Sequence, residues 1–348
     1  MNNNEYNYGV LKYNSINIGD EIQSIAAMRF LPQIDEYIAR EKVKWYHSSN
    51  KKKTKLIMNA WWMWLPKNFP PSEDIEPLMI SMHFFKDMRK KFSKNKSIIK
   101  YLMAHAPIGC RDIDTLNWLS TIGVPAYHSG CLTLTLQRND NIPRENYILC
   151  VDTDDSIVNE IKKRTTRPVY SISRNLSPYY TSTERLELAK LFLHLYHNAH
   201  CVVSPCLHAI LPSVAFETPV LRILEKDENL YVNSRFEGME DWFNTCSPDE
   251  FFNNKDIYNF EQPLKNSDKY IATRNKLIEK CTEFTGYCSN ESLIKENINL
   301  FVSLIKLNTY SKHKTQKMLF FEDKTVLKDV IKFKRMGVHK YTYEDEMP

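Results

Sequence analysis

The stretch Cys201-Val-Val-Ser-Pro-Cys-Leu-His-Ala-Ile-Leu-Pro-Ser-Val-Ala-Phe-Glu-Thr-Pro-Val-Leu221 decides the fold. Residues 201–203 are wholly apolar and read as a short buried strand. A helix follows, and a second strand opens at Pro219. Ser204 suits the N-cap and Pro205 the first helical position, where proline's missing N–H would be unpaired anyway. The N–H groups of Cys206 and Leu207 then face the space beyond the strand, at the positive end of the helix dipole. That terminus suits a phosphate or carboxylate. His208, one turn in, sets a titratable group on the rim. Open parallel sheets bind their ligands at such strand ends. An ordinary helix start with a satisfied, half-buried histidine fits the same spacing.

Outward from this stretch, apolar runs and helical periods alternate. Residues 9–13 read as a first strand and 15–20 as a loop. A helix from about Glu21 carries Ile22, Ile25, Ala26, Met28 and Phe30 until Pro32 stops it. Strands are expected at 55–60 and 78–83, with a proline-rich loop at 66–77 between them. Helices are expected at 98–103 and 112–119, and a β element with alternating threonines at 132–136. A polar segment, 138–146, is the candidate linker. A second series then follows: strands at 147–152 and 169–173, a long helix at 182–198, and the opening stretch. Helices at 270–285 and 289–308 precede a tail that is basic and then acidic. The predicted architecture is α/β, with two parallel-sheet domains at 1–137 and 138–288 and a C-terminal helix and tail at 289–348.

Composition narrows the function classes. Hydrophobic residues make up 43% and charged residues 26% of the 348, as in an ordinary globular protein. A net charge of +5 does not call for nucleic acid but suits anionic substrates. Eight glycines against 16 prolines, with neither a Walker nor a GxGxxG motif, exclude a glycine-rich phosphate loop. Phosphate binding must then use a helix terminus and basic side chains. The eight cysteines form no CxxC pair and no metal-ligand spacing, so reduced thiols and no metal are expected. The N-terminus lacks signal-peptide character, and the apolar run 56–65, interrupted by Asn59, is too short for a bilayer. A cytoplasmic protein is expected.

Four blocks together resemble the polysaccharide pyruvyl transferase family. They are Asn17-Ile-Gly-Asp20, Gly109-Cys-Arg-Asp112, Ser129-Gly-Cys-Leu-Thr-Leu-Thr-Leu136, and Val-Val-Ser-Pro-Cys-Leu-His-Ala-Ile-Leu-Pro with Glu-Thr-Pro-Val. They fall in the family's order across roughly residues 9–290. The resemblance implies two Rossmann-like domains facing a cleft, as in GT-B glycosyltransferases. It also implies a transferase moving the pyruvyl group of phosphoenolpyruvate onto a glycan or lipid-linked saccharide as a ketal, without metal or resident cofactor. One position departs from the family: Cys206 stands where it carries an arginine that helps hold phosphoenolpyruvate. Losing that charge-assisted bond costs about 1.5–3 kcal/mol, so Arg111 or Arg174 must supply the charge, or the donor differs.

Each candidate residue has a second reading. Asp20 fits an N-cap or a base toward the acceptor hydroxyl; Asn17 and Gln23 lie beside it as acceptor contacts. Arg111 fits a phosphate or carboxylate clamp, or a surface salt bridge. Asp112 reads as an N-cap. His83, at a strand end, fits a structural role or an acceptor contact, and Arg174 a second anion contact. Ser204, Cys206 and Leu207 form the expected anion cradle, with His208 as acid or phosphate ligand. Trp61, Trp62 and Trp64 fit a sugar platform or a core. The lysine runs 51–55 and 86–96 fit solvated faces or proximity to an anionic membrane. Two rival readings remain. A nucleotide-sugar glycosyltransferase would carry a ribose-binding Glu seven residues ahead of Pro219, where this chain has Pro212. An inactive glycan-binding homologue draws its support from Cys206.

Overall fold

The computed structural model describes residues 5–13, 15–175, 180–224 and 234–296. The first half of the chain builds a parallel sheet from β1 (Asn7–Lys12), β2 (Glu36–Ala39), β3 (Thr54–Ile57) and a later strand, Ile75–Leu78. Short strands β4 (Trp61–Trp62), β6 (His83–Phe84), β7 (Ile108–Cys110) and β8 (Ala126–His128) pair beside it. With Ile75–Leu78 as β5, the sheet order is β2-β1-β3-β5. Backbone bonds from Gly109 N to Met79 O and from Met82 N to Gly109 O, each 2.9 Å, attach β7 to the row.

The second half repeats the pattern with β9 (Ile148–Val151), β10 (Val169–Ile172), β11 (Cys201–Ser204), β12 (Val220–Ile223) and β13 (Asn244–Cys246). Their order is β10-β9-β11-β12-β13, and every pair is parallel. In both sheets the strand order reverses beside the first strand, between its two neighbours. That geometry opens a crevice at the strand C-termini. The molecule is therefore mixed α/β with parallel sheets, of the Rossmann-like class.

Helix α1 (Gly19–Met28) follows β1; α2 (Lys86–Ser93), α3 (Lys96–Ala104) and α4 (Ile113–Thr121) complete the first half. The second half carries α5 (Asp155–Arg164), α6 (Ser182–Asn198), α7 (Leu207–Ala215), α8 (Pro248–Asn253) and α9 (Ile271–Thr285). One buried apolar cluster runs through both halves, from Val10 and Ile22 by way of Leu132 and Leu134 to Leu149, Phe192 and Val202. Helices α1, α6 and α7 meet over it. A buried bidentate ion pair crosses there: Arg185 Nε and Nη2 donate to the two Glu21 oxygens at 2.7 and 2.9 Å. Within the expected linker, Arg144 is anchored to the second half, donating to the carbonyls of His197 at 2.8 Å and Phe216 at 2.9 Å.

Several expectations differ from what forms. Residues 132–136 are not a β element: Leu132–Thr135 is a 3-10 turn. Its alternation carried no strand signal because all four residues are buried, so no solvent side exists. The strand expected at 78–83 is split between the end of β5 and β6, and Ser81 between them has φ of 54°. The basic run 86–96 is solvated but helical, with Met88, Arg89 and Phe92 turned inward at helical spacing. Residues 289–296 form no helix, and the rest of the helix expected to 308, with the tail, lies outside the described residues.

Candidate functional site

The strand C-termini of both halves converge on one seam. After β1 the chain turns through Asn17, whose Oδ1 accepts from Gly19 N at 3.0 Å. Asn17 also bridges to Asn175 of the other half, and Ile18 N donates to Arg174 O at 3.1 Å. Arg174, just past β10, donates through Nε to Asp152 Oδ2 at 2.8 Å, with Nη1 3.5 Å from Asn17 Oδ1. Asp152 directly follows β9 with φ of 49°, a left-handed backbone at this edge. The two halves are thus joined by backbone and side chain where each sheet ends.

The opening stretch forms strand, helix and strand, but its helix starts later than expected. Ser204 is the last residue of β11, not the N-cap, and Pro205 is not helical; Cys206 is the N-cap and Leu207 the first helical residue. The cause is local hydrogen bonding. Ser204 Oγ donates to Val151 O at 2.8 Å and accepts from Cys206 N at 3.0 Å, so it is held in the sheet. The Cys206 N–H is thereby used internally and does not face a ligand, which corrects the expected cradle. Cys206 Sγ lies 3.7 Å from Asp152 Oδ2, the oxygen that Arg174 also holds. Arg174 therefore brings a guanidinium to the neighbourhood of position 206.

His208 is 3% exposed, and neither ring nitrogen has a hydrogen-bond partner among the described residues. The ring lies against the Gly19 backbone: a Cβ on Gly19 would come within 2.2 Å of His208 Nδ1. Burial, then the charges of Arg111, Arg235 and Arg174, hold the imidazole well below its usual pKa. The Gly19 backbone opposes this at a geometry short of a hydrogen bond. Because backbone contact with His208 requires glycine here, Gly19→Ala is expected to displace the ring. Ligand-induced thermal protection should then fall at least tenfold in apparent affinity, about 1.4 kcal/mol. A Gly19→Ala protein that binds as the parent does would show that the ring is not positioned by this contact.

Arg111, at the end of β7, is wholly buried, and none of its three guanidinium nitrogens has a hydrogen-bond partner among the described residues. Its nearest counter-charge is Asp112 Oδ2, 3.6 Å from Nε. The surface salt bridge is therefore not its role. Asp112 is the N-cap of α4, as expected, with Oδ1 accepting from Thr115 N at 2.9 Å. Its Oδ2 meets His83 Nδ1 at 2.6 Å. Burial alone would raise the Asp112 carboxyl, but His83 and then Arg111 hold it well below the usual range. Burial lowers His83 to about 4 against the pull of Asp112, so its ring is neutral near pH 7. His83 is fully buried on Asp112, which makes it a support for the Arg111 strand end and not an open contact surface.

Asp20 is not an N-cap; α1 begins at Gly19 with Ile18 as its cap residue. Its Oδ2 accepts from the Ser15 hydroxyl and lies 3.6 Å from Arg40 Nη1. Arg40 in turn sits over the rings of Tyr13 and Trp61, each 5.1 Å away. Gln23, one turn after Gly19 on the same helix face, is completely buried with both amide atoms unpartnered among the described residues. Trp62 is core, while Trp61 and Trp64 pack on Phe85.

The structure thus gathers Asn17, Gly19, Arg111, Arg174 and His208 at one seam, with Gln23 one turn behind. Ser204 and Cys206 serve the turn itself, and Asp20 faces Arg40. One apolar cluster is continuous between the halves beneath this seam. Sequence reading missed Asp152, Arg235 and the Glu21–Arg185 pair. An acidic residue directly after the 147–151 run was the available sign for Asp152; the others depend on long-range contact. Among the described residues no group of three or more His, Cys, Asp or Glu side chains is arranged to hold a metal ion, and no helix is long and apolar enough to cross a membrane.

A buried guanidinium and a buried imidazole, both unsatisfied, are costly unless a ligand satisfies them. Their chemistry suits an oxyanion that takes bidentate bonds from Arg111 and a further bond from His208. No family model matches the sequence, and no curated protein matches it. Among solved structures the chain is similar to a functionally uncharacterised protein from Klebsiella pneumoniae subsp. pneumoniae NTUH-K2044, with 13% identity, a TM-score of 0.41, and coverage of 70% of this chain and 92% of that one.

Proposed function

We propose that this protein is a pyruvyl transferase that uses phosphoenolpyruvate as donor and the hydroxyls of a glycan or lipid-linked saccharide as acceptor. The observation that carries this reading is Arg111, wholly buried with no hydrogen-bond partner for its guanidinium among the described residues and in electrostatic reach of His208, whose ring nitrogens likewise have none there. The paired parallel sheets, with strand ends meeting at one seam, support a two-domain, GT-B-like arrangement. Arg174, delivered next to Cys206 by Asp152, supports retention of an anionic donor despite the missing family arginine.

In this reading His208 protonates the donor's methylene carbon, and the adjoining carbon becomes an oxocarbenium centre. An acceptor hydroxyl attacks that carbon and releases its proton; the carbon–oxygen bond to phosphate breaks. A second hydroxyl closes the ketal and releases a second proton. One proton restores His208, and the other leaves with phosphate. Arg111 and Arg174 hold the donor's charge, and Gln23 offers amide bonds to the acceptor.

The direct test is mass spectrometry of candidate glycans incubated with the protein and phosphoenolpyruvate, with phosphate release measured in parallel. His208→Ala is expected to lower turnover by about 10²–10⁴-fold with little loss of melting temperature. Removing this ring leaves no stranded partner, since it has none among the described residues. Full transfer by His208→Ala would overturn its assignment, and absence of pyruvyl gain on every acceptor class would overturn the reaction.

A further inference from the structure

Two uncharged side chains beside the strand ends of the first half are buried without a hydrogen-bond partner among the described residues. Ser81, between β5 and β6, is completely buried, and its hydroxyl bonds nothing there. Gln23 of α1 is completely buried as well, with neither side-chain amide atom partnered. We propose that Ser81 and Gln23 form an uncharged subsite beside Arg111 that binds neighbouring hydroxyls of a neutral polyol such as a sugar ring. The inference rests on the reading that the seam takes a saccharide, but not on pyruvyl transfer.

The sheet order places the pair. In the row β1-β3-β5, with β7 attached to the segment after β5, Asn59 follows β3, Ser81 follows β5 and Arg111 follows β7. Asn59 Nδ2 donates to the Gln23 carbonyl at 2.8 Å, which ties this turn of α1 to the segment after β3. On the other side, Arg111 N donates to Met82 O at 2.8 Å, and Ser81 N donates to Ser129 Oγ at 3.0 Å. Ser129 Oγ itself bonds the Cys110 carbonyl at 3.0 Å. Ser81 therefore stands between the anchor of Gln23 and the strand end that carries Arg111.

The residue type at position 81 carries the argument further. In a regular strand Met82 would share the face of Ile80. Here Ser81 has φ of 54°, with Ile80 in the cluster shared by both halves and Met82 in the first-half core. That exchange explains the turn but not the serine, since glycine adopts such a φ without steric cost. A hydroxyl held on strained backbone, buried and bonding nothing in the protein, is a standing loss unless a ligand takes it. The chemistry of the pair selects that ligand. A hydroxyl and a primary amide each donate and accept, and neither carries charge. They match adjacent hydroxyls of a polyol, whereas an anion gains no counter-charge from them.

Ser81→Ala keeps the backbone demand and removes only the hydroxyl; Gln23→Met removes the amide at similar length. Ligand-detected NMR of the full chain with methyl hexopyranosides reads the uncharged subsite, and titration calorimetry with sulfate reads the anionic one. Both variants are expected to melt no lower than the parent, because neither side chain gives up a hydrogen bond among the described residues. Each should bind the best hexopyranoside about tenfold more weakly, as the loss of a neutral hydrogen bond allows, with sulfate binding unchanged. A lower melting temperature in either variant, undiminished sugar binding, a loss for sulfate as large as for the sugar, or no sugar binding by the parent would each overturn the inference. Sugar binding that depends on Ser81 and Gln23 in a protein that never transfers pyruvate would leave it standing and reject the proposed reaction.

Discussion

Arg111→Met is expected to raise the stability of the free protein while abolishing donor binding. The guanidinium is fully buried and hydrogen-bonds nothing among the described residues, so the fold carries a desolvated cation. Replacing it by an apolar chain of similar length removes a burden of about 1–3 kcal/mol. Asp112 keeps its hydrogen bonds to His83 and Thr115 but loses the nearby Arg111 cation, which offsets part of that gain. The bound state loses its bidentate anion contact in the same step. With phosphoenolpyruvate at 100 times its Kd, native-state binding contributes about 2.7 kcal/mol of protection, and Arg111→Met should show none of it. The measurement is thermal unfolding of both proteins with and without phosphoenolpyruvate, with UDP- and GDP-sugars as controls. A variant that melts lower without ligand would make Arg111 structural. A parent protected better by a nucleotide sugar would favour the glycosyltransferase alternative.

The contrast between Arg111 and its surroundings also shows what a single sequence can carry. The strand–helix–strand reading of residues 201–221 rests on local signals, namely an apolar run, a helical period and a proline, and those signals act within a few residues. The displacement of the helix start to Leu207 does not, because it depends on Val151 supplying a carbonyl to Ser204 from another strand. Asp20 illustrates the same limit. Its position ahead of an apolar period fits a cap, but Arg40 claims the carboxylate from the far end of β2. The helical period gave the extent of α1 but not which of its faces meets His208. Arg111 and His208 could be named as candidates from their strand-end positions. That both are buried without hydrogen-bond partners among the described residues is a property of packing, and it sets two ordinary polar residues apart as a candidate site.

The second large effect concerns Glu21 and Arg185, which lie on helices from different halves with side chains 5% and 2% exposed. Removing either partner of such a pair commonly costs about 3–5 kcal/mol, but the two removals are not equivalent here. Glu21→Leu leaves a buried guanidinium that cannot give up its proton, so the full cost is expected near neutral pH. Arg185→Met leaves a carboxyl that can neutralise itself. Burial already pushes Glu21 up to about 7 against the pull of Arg185, and without that arginine it must rise further. Because the folded pKa then exceeds the unfolded value, the folded form binds the extra proton. Arg185→Met is therefore mildly affected below about pH 4.5 and loses stability progressively as pH rises through the folded pKa. The double variant should recover a large part of the Glu21→Leu loss, since neither charge is stranded. Denaturant unfolding of the three variants across pH 5–9 measures the cycle. Equal, pH-independent losses in both single variants, with simple additivity in the double, would mean that this contact does not act as a buried ion pair. The expected asymmetry would instead identify it as a charge-locked joint between the halves, holding Gly19 and the His208 helix in register two residues from the proposed anion site.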